Sequence, residues 1–406
     1  MMKRTILHMD LDTFFVSVER KIDSRLHGKP ILIGGTGDRG VVSAASYEVR
    51  PYGIHSGMSM KMARNLMPEA IVIKGNAGVY TEHSKIVTDI IKGQVPILEK
   101  ASVDEFYADL SGMDRHFGSS YQYASELRQK VMDESGLPIS FGLSVNKTVS
   151  KVATGEAKPN NQLNIDFGLE KSFLAPLSIK KIPMVGDKTF QKLCNLGIKY
   201  VRTVQEMPLE MMESVLGKNG GTIWQKSNGI DTSPVIEFNE RKSISNERTF
   251  SRDTTDMHKL RTLIEAMAEH LTYQLRRAGK IAACIGVKVR YSDFNTYSKQ
   301  VRIPYSSADH IMIPKVLELF ESLYNRRLLV RLVGVKFSDI TQGNYQMSLF
   351  EDSRKTASLY EGMDIIRNRF GSRSIMRAST FGAKSIGSMM NPFSGEPPIV
   401  LAHRTQ

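Results

Sequence analysis

Only two cysteines, Cys194 and Cys284, occur among 406 residues. They lie far apart and outside any CxxC pattern, which argues against a disulfide framework or a cysteine zinc site and fits a reducing, intracellular compartment. Long apolar runs are absent too. Nowhere do eighteen apolar residues follow one another, and Lys3-Arg4 lead directly into a short strand-like segment rather than a signal sequence. A cytoplasmic protein outside the membrane is therefore expected. Acidic residues are the minority charge, 42 against 55 Lys+Arg, giving +13 and a pI near 9.5. Such an excess favours a polyanionic partner, although many basic proteins touch no nucleic acid. The length exceeds one ordinary hydrophobic core and predicts roughly two to four domains.

Against that background two acidic clusters stand out, Met9-Asp10-Leu11-Asp12 and Ser102-Val103-Asp104-Glu105. Each follows an apolar, β-prone run, so one folded sheet could gather Asp10, Asp104 and Glu105 into a carboxylate cage. Hard Mg²⁺ takes oxygen ligands of this kind and keeps positions open for substrate phosphates. Nucleotidyl transfer is the chemistry such a cage most often serves.

The spacing predicts a strand over Thr5 to Leu11 and then a helix carrying Phe14, Phe15, Val18 and Ile22, with Asp12-Thr13 as its N-cap. Short strands at Pro30 to Ile33 and Val41 to Ala45 precede helices over Ser59 to Leu66 and Val79 to Lys92. Two strands follow within Ile97 to Leu110, then helix Tyr121 to Glu134, strand Ile139 to Val145 and helix Thr148 to Ala157. A split βαβ, ferredoxin-like core suits this order. Around Ile182 to Ile198, helix, Gly-containing turn and helix read as a helix-hairpin-helix, whose turn amides at Gly186, with Lys188, suit a DNA phosphate; an ordinary capped turn is the alternative. A polar stretch between Asp231 and Glu240 reads as a linker. Beyond it, strand, long helix, two strands, helix and strand form a second α+β unit up to Ile340. Lys288, Arg290, Lys299 and Arg302 recur along its strands and are expected on one sheet face, as a DNA contact or a solvated basic surface.

Four motifs in order, His8-Met9-Asp10-Leu11-Asp12-Thr13-Phe14-Phe15, Ala45-Ser46-Tyr47-Glu48-Val49-Arg50, Ser102-Val103-Asp104-Glu105 and Ala157-Lys158-Pro159-Asn160, resemble the Y-family, translesion DNA polymerases of the bacterial DNA polymerase IV type. The resemblance runs from about Ile6 to about Gln342. It implies a multidomain α/β and α+β right-hand fold: ferredoxin-like palm (1–20 and 76–168), small fingers (21–75), helix-hairpin-helix thumb (169–232), linker (233–241) and little finger (242–342), then a clamp-binding motif and tail (343–406). It further implies two Mg²⁺ ions, with Mn²⁺ as substitute, held by Asp10, Asp104, the Leu11 carbonyl and, at the primer end, Glu105. Asp12 is expected to cap a helix rather than bind metal. The amides of Phe14 and Phe15, the Tyr47 hydroxyl, Arg50 and Lys158 would receive the triphosphate of a deoxynucleotide, and Phe15 would be the steric gate against a 2′-hydroxyl. Ala44 stands where many relatives carry a hydroxyl, so that contact is not carried over. Small fingers imply loose enclosure of the new base pair, hence low fidelity; no proofreading exonuclease motif set is visible.

Gln346-Met347-Ser348-Leu349-Phe350 resembles the peptide with which such polymerases bind the bacterial sliding clamp. The remaining tail begins with an amphipathic helical stretch, Leu359, Met363, Ile366 and Phe370 at three- and four-residue spacing, and carries Arg367, Arg369, Arg373 and Arg377; a disordered basic extension is the expectation, with partner or DNA binding as the alternative. A monomeric enzyme on primer-template DNA is the resulting expectation. The rivals are an inert DNA-binding scaffold on the clamp and a palm-domain nucleotide cyclase. The scaffold would have no need to crowd three carboxylates, and the cyclase none for a clamp peptide.

Overall fold

The computed structural model describes residues 4–113, 118–237, 241–343, 353–372, 374–381 and 383. The predicted clamp peptide, Gln346 to Phe350, and Arg373 lie outside them. The chain divides into two compact units, Met1–Asn239 and Glu240–Asn391.

The first unit opens with β1 (Ile6–Leu11), α1 (Phe14–Ile22), β2 (Ile31–Gly34), β3 (Val42–Ala45), α2 (Met60–Leu66), β4 (Ile71–Ile73) and α3 (Ala77–Lys92). Then come β5 (Ile97–Lys100), β6 (Glu105–Asp109), α4 (Ser120–Ser135), β7 (Ile139–Ser144), α5 (Lys147–Ala157) and β8 (Gln162–Asn164). Its main sheet has the order β5-β6-β1-β7-β8, with β6 inserted antiparallel between β1 and β5. That insertion is the split βαβ of a ferredoxin-like core. β8, a three-residue strand too short and too exposed to be legible beforehand, extends the sheet parallel to β7.

Strands β1 and β7 are largely buried along their length; one face is apolar, and Leu7, Leu11, Val16, Phe106 and Phe141 lie in one core with α3 and α4, while the other face carries His8, Asp10, Ser140, Gly142 and Ser144. On the other face α5 approaches β7 unusually closely. A Cβ on Gly142 would come within 2.2 Å of the Ser150 carbonyl oxygen and 2.5 Å of the Thr154 nitrogen, so only glycine admits the helix there. The small sheet β3-β2-β4 has its own core of Leu32, Val42, Val49 and Met60.

Short helices α6 (Glu170–Leu174), α7 (Asp187–Asn195), α8 (Val201–Glu206), α9 (Leu209–Leu216) and α10 (Lys218–Ser227) pack around Leu174, Leu193, Val201, Met212 and Ile223. Ahead of α7, which begins after Gly186, the chain makes one 3₁₀ turn at Ile179–Lys181. The stretch expected as a linker is held to this unit where it is described. Asp231 accepts from Thr148 and Lys226, the Ile236 amide donates to Glu99, and Val235 is buried with Ile6 and Tyr107.

The second unit contains β9 (Ser243–Thr254), α11 (Met257–Arg277), β10 (Lys280–Tyr291), β11 (Thr296–Ser306), α12 (Asp309–Leu323), β12 (Val330–Gln342) and α13 (Ser353–Phe370). Its antiparallel sheet runs β11-β10-β12-β9, and α11 and α12 bury Ile285, Val287, Val289 and Val335. The expected basic face is corrected at one residue. Lys288 lies opposite Ser298, and Arg302 opposite Cys284, on the face away from the core, whereas Lys299 lies opposite Val287 and its Nζ donates to Ser322 Oγ of α12 at 3.1 Å. Positions 299 and 302 are an odd number apart, so the pleat sends them to opposite faces. Among the described residues no helix is long and apolar enough to cross a membrane.

In the tail the expected helical stretch is present, over residues 353–370, but it is docked rather than a disordered extension: its apolar residues Leu359, Ile366 and Phe370 are exposed, while Tyr360 and Arg367 are buried. Arg367 donates to Glu269 at 2.6 Å, and Asp364 accepts from Arg276, which also holds the fully buried Asp309. Tyr273 donates to Asn368 Oδ1 at 2.7 Å. Burial pushes the Glu269 carboxyl upward, and Arg367 pulls it back. The docked face is thus ionic, because α11 and α12 already bury acids that need cations.

Arg367→Met should strand Glu269 and lower the stability of the second unit by about 3 kcal/mol. Calorimetric melting checks this, and an unchanged transition would show that the tail adds nothing to the fold.

Candidate active site

Register fixes the centre of the site. β1 pairs with β6 so that Asp10 lies directly across from Glu105, and the Leu11 amide donates to the Asp104 carbonyl at 3.0 Å. Directly opposed residues point to the same face, with Cβ atoms roughly 5 Å apart. Two carboxylates are therefore neighbours by strand pairing, and Asp104 joins them from the bend before β6. The Ser102 hydroxyl organises that bend, donating to Asp104 Oδ1 while accepting from the Glu105 amide at 3.0 Å.

Like charge gathered in a half-closed place raises the cost of ionisation. Burial, then the charges of Asp104 and Glu105, push the Asp10 carboxyl up to about 7 despite Lys158 pulling the other way. Burial also lifts Asp104, against the Ser102 hydroxyl. Two lysines answer this charge. Lys158 Nζ lies 2.5 Å from Asp10 Oδ1, and Lys151 Nζ bonds both Glu105 oxygens at 2.7 and 2.6 Å. Lys100 is within electrostatic reach of Asp104 but donates to Ser84 and Thr88, and burial pushes its ammonium down to about 8.

Among the described residues no three His, Cys, Asp or Glu side chains are already gathered tightly enough to hold an ion. The donor set nevertheless fits a hard divalent cation. It consists of carboxylates whose mutual repulsion a cation relieves, and their present partners are ammonium groups that occupy the place of positive charge.

The expected nucleotide contacts lie around the same point. Tyr47 begins a 3₁₀ segment, Tyr47–Tyr52, and the exposed Arg50 guanidinium lies 4.3 Å over the Tyr47 ring. Burial, then the Asp12 charge, raise the Tyr47 hydroxyl, which stays protonated and can donate. Phe14 and Phe15 are buried at the start of α1, and Phe15 stacks on Tyr80 with centroids 4.4 Å apart. Tyr80 is held in turn by its hydroxyl, which donates to Glu19 at 2.5 Å.

Asp12 is not the expected helix cap. Thr13 occupies the capping position in a left-handed conformation, φ 43° and ψ 46°, and no side chain caps α1. The Asp12 carboxylate is buried and accepts from Tyr47, Ser140 and the Asn160 amide. Lys188 stands at the start of α7, and Lys288, Arg290, Lys299 and Arg302 on β10 and β11 of the second unit, so none of them belongs to an element that carries these acids.

Sequence reasoning missed Lys151, Ser140, Tyr80 and His8. His8 is fully buried, with Nδ1 2.8 Å from Thr154 Oγ1 and its ring 4.5 Å from that of Tyr107. Burial, then Lys151, hold its pKa well below the usual value, so it is a neutral packing group under the site. For Lys151 a signal existed. Lys147, Lys151 and Lys158 recur at intervals of four and seven, one side of a helix.

Comparison with known proteins gives the family and the fold. Residues 9–155 match the impB/mucB/samB family profile, and residues 241–349 match the profile of the impB/mucB/samB family C-terminal domain. A DNA polymerase IV of Dehalococcoides mccartyi (strain CBDB1) is 36% identical over 386 residues, covering 94% of this chain and 99% of that one. DNA polymerase IV 2 of Methanosarcina mazei is 32% identical over 354 residues, 86% of this chain and 96% of that one. A solved Y-family DNA polymerase chimera superimposes with a TM-score of 0.73 at 24% identity, over 84% of this chain and all of the other, and so shares the fold. The chain belongs to the DNA polymerase IV family, within the impB/mucB/samB group of Y-family polymerases.

Proposed function

We propose that Asp10, Asp104 and Glu105 form the catalytic centre through which this chain carries out its family's reaction, the addition of deoxynucleotides to a primer 3′ end on a DNA template. The protein is a DNA-directed DNA polymerase of translesion synthesis. Dependence on a divalent metal belongs to that identity; two Mg²⁺ ions, with Mn²⁺ as substitute, are the reading we favour. The observation that carries the site assignment is the pairing of Asp10 against Glu105 with Asp104 alongside, in a place where burial and mutual repulsion raise Asp10.

Bound divalent cations supply charge neutralisation at the triphosphate and acidify the primer hydroxyl. The protein's own contribution is alignment, the main protein task in phosphoryl transfer. Asp10, Asp104, the Leu11 carbonyl and Glu105 offer hard oxygen ligands. Lys158 leaves Asp10 for the triphosphate, Arg50 grips phosphate oxygens as a fork, and the Tyr47 hydroxyl and the Phe14 and Phe15 amides donate to them. The primer oxygen forms its bond to the α-phosphorus as the bond to pyrophosphate breaks. The Phe15 ring, backed by Tyr80, excludes a 2′-hydroxyl by overlap.

Gly186 and Lys188 of the helical region and Lys288, Arg290 and Arg302 on one face of the second unit's sheet are assigned to the DNA backbone; Lys299 is the weakest member because it faces α12. Gln346 to Phe350 are assigned to the bacterial sliding clamp. A monomeric, cytoplasmic enzyme without proofreading completes the reading. Neither the inert scaffold nor the cyclase is favoured by the relatives.

Primer extension with Mg²⁺ tests the centre. Asp104→Ala or Glu105→Ala should reduce extension at least about a hundredfold with primer-template affinity retained, as loss of a charge-stabilising group at the reacting atoms does; normal extension would remove the assignment. Phe15→Ala should raise ribonucleotide insertion with deoxynucleotide insertion little changed, and an unaltered sugar preference would end the gate role. Deleting Gln346 to Phe350 should slow synthesis only with a loaded clamp; an equal loss without clamp would point to folding instead.

A further inference from the structure

We infer that Asp12 is a positioning residue of the nucleotide site, a buried carboxylate that fixes Tyr47 and the Lys158–Asn160 turn relative to each other before a triphosphate arrives. The inference rests on the reading above that Tyr47 and Lys158 receive that triphosphate. Asp12 is 2% exposed, and its donors come from three separate parts of the chain. Oδ1 accepts from the Tyr47 hydroxyl at 3.2 Å, and Oδ2 accepts from Ser140 Oγ at 2.8 Å and from the Asn160 amide at 2.7 Å. Lys158 Nζ lies 3.7 Å from Oδ1.

The residue's own backbone is equally committed. Its amide donates to the Pro138 carbonyl at 2.9 Å and its carbonyl accepts from Ser17 Oγ at 2.7 Å. Asp12 is the first residue beyond β1, and Thr13 after it is left-handed. Both Asp12 oxygens face hydrogen-bond donors from outside α1, and its side chain does not cap that helix.

Chemistry explains the residue type. A carboxylate is purely an acceptor with about four lone-pair sites, and here it meets two hydroxyls, an amide and an ammonium. An amide side chain would direct its NH₂ at one of those donors and carry no charge to hold Lys158. The Asn160 side of the turn is braced independently, since Arg128 Nη2 donates to the Asn160 carbonyl at 2.8 Å and to its Oδ1 at 2.6 Å. Lys158 therefore leaves a fixed turn, and Tyr47 is fixed to that turn through one carboxylate. With the Tyr47 oxygen and the Lys158 backbone held in advance, substrate binding needs only that the single Tyr47 hydroxyl hydrogen turn from Asp12 to phosphate and that the Lys158 ammonium swing across, so the effect falls on nucleotide affinity.

Single-nucleotide insertion at saturating primer-template tests this with Asp12→Asn, Ser140→Ala, Tyr47→Phe and the Asp12→Asn/Tyr47→Phe pair. Asp12→Asn should raise the deoxynucleotide KM about tenfold and change kcat less than about threefold, the loss expected for one charge-assisted contact. Ser140→Ala, which leaves the carboxylate in place, should raise KM about twofold to threefold. The pair should fall short of the product of the two single effects, because both changes touch the Tyr47–Asp12 contact. Primer-template affinity should match the parent throughout.

An unchanged KM in Asp12→Asn, a loss confined to kcat, or effects that multiply in the pair would each overturn the inference. Should Asp12→Asn fail to fold, Ser140→Ala decides, and a parental KM there overturns it. Failure of the underlying polymerase reading is distinct: it appears as a parent chain that does not extend primers.

Discussion

Everything in the first unit is arranged around the crowding of negative charge at the ends of β1 and β6. Antiparallel register brings Asp10 and Glu105 side by side, and that proximity is unfavourable in itself, as the upward displacement of Asp10 records. Cations must approach from the adjoining helix, and α5 supplies them. Lys147 reaches Glu99 and Lys151 reaches Glu105, while Lys158, just past the helix end, reaches Asp10. None of this would be possible if α5 stood further off. Its contact distance is set by the missing side chain of Gly142, which lets Thr154 also bond the His8 carbonyl.

The elements legible in the sequence were those whose pattern is local. Strand β1, helices α1 and α3, the βαβ order of the sheet and the two strands bracketing Asp104 follow from alternation and helical spacing within a few residues. Strands β4 and β8 were not, because three half-exposed residues carry too little periodicity to distinguish them from loop. The acids of the site were readable as motifs, yet their partners were not. Ser140 meets Asp12 across 128 positions, a relation that depends on which strands pair and in what register. Lys299 failed for a simpler reason, since counting parity alone would have placed it on the core side of β11.

The tail shows where hydrophobic patterning misleads. A helix whose Leu359, Ile366 and Phe370 recur at docking intervals instead turns Tyr360, Asp364 and Arg367 inward. Patterning assumes that the receiving surface is apolar. The surface here carries Glu269 and Asp309, each already buried, and an acid without a cation in such a place costs more than an exposed leucine. Position in the chain gave no hint of this, because the acids belong to α11 and α12 and the arginine that answers one of them lies 98 residues later.

The two units thus bury charge toward different ends. In the second, Glu269, Asp309 and Asp364 meet Arg276, Arg367 and Arg377, so acids and bases are equal in number, although Asp309 Oδ2 and Arg377 Nε are buried without a hydrogen bond among the described residues. In the first, Asp10, Asp12, Asp104 and Glu105 meet the ammonium groups of Lys151 and Lys158 directly, with Lys100 in electrostatic reach of Asp104, so among the described residues of this cluster the acids outnumber the lysines. A purely structural cluster gains nothing from such an imbalance. Retaining it holds the Asp10 carboxyl up, at about 7, where on the proposed assignment a bound cation would displace its proton. Lys158 would then move from carboxylate to phosphate. Under that assignment one group of residues both stores the lysine for the substrate and preserves the charge that draws metal.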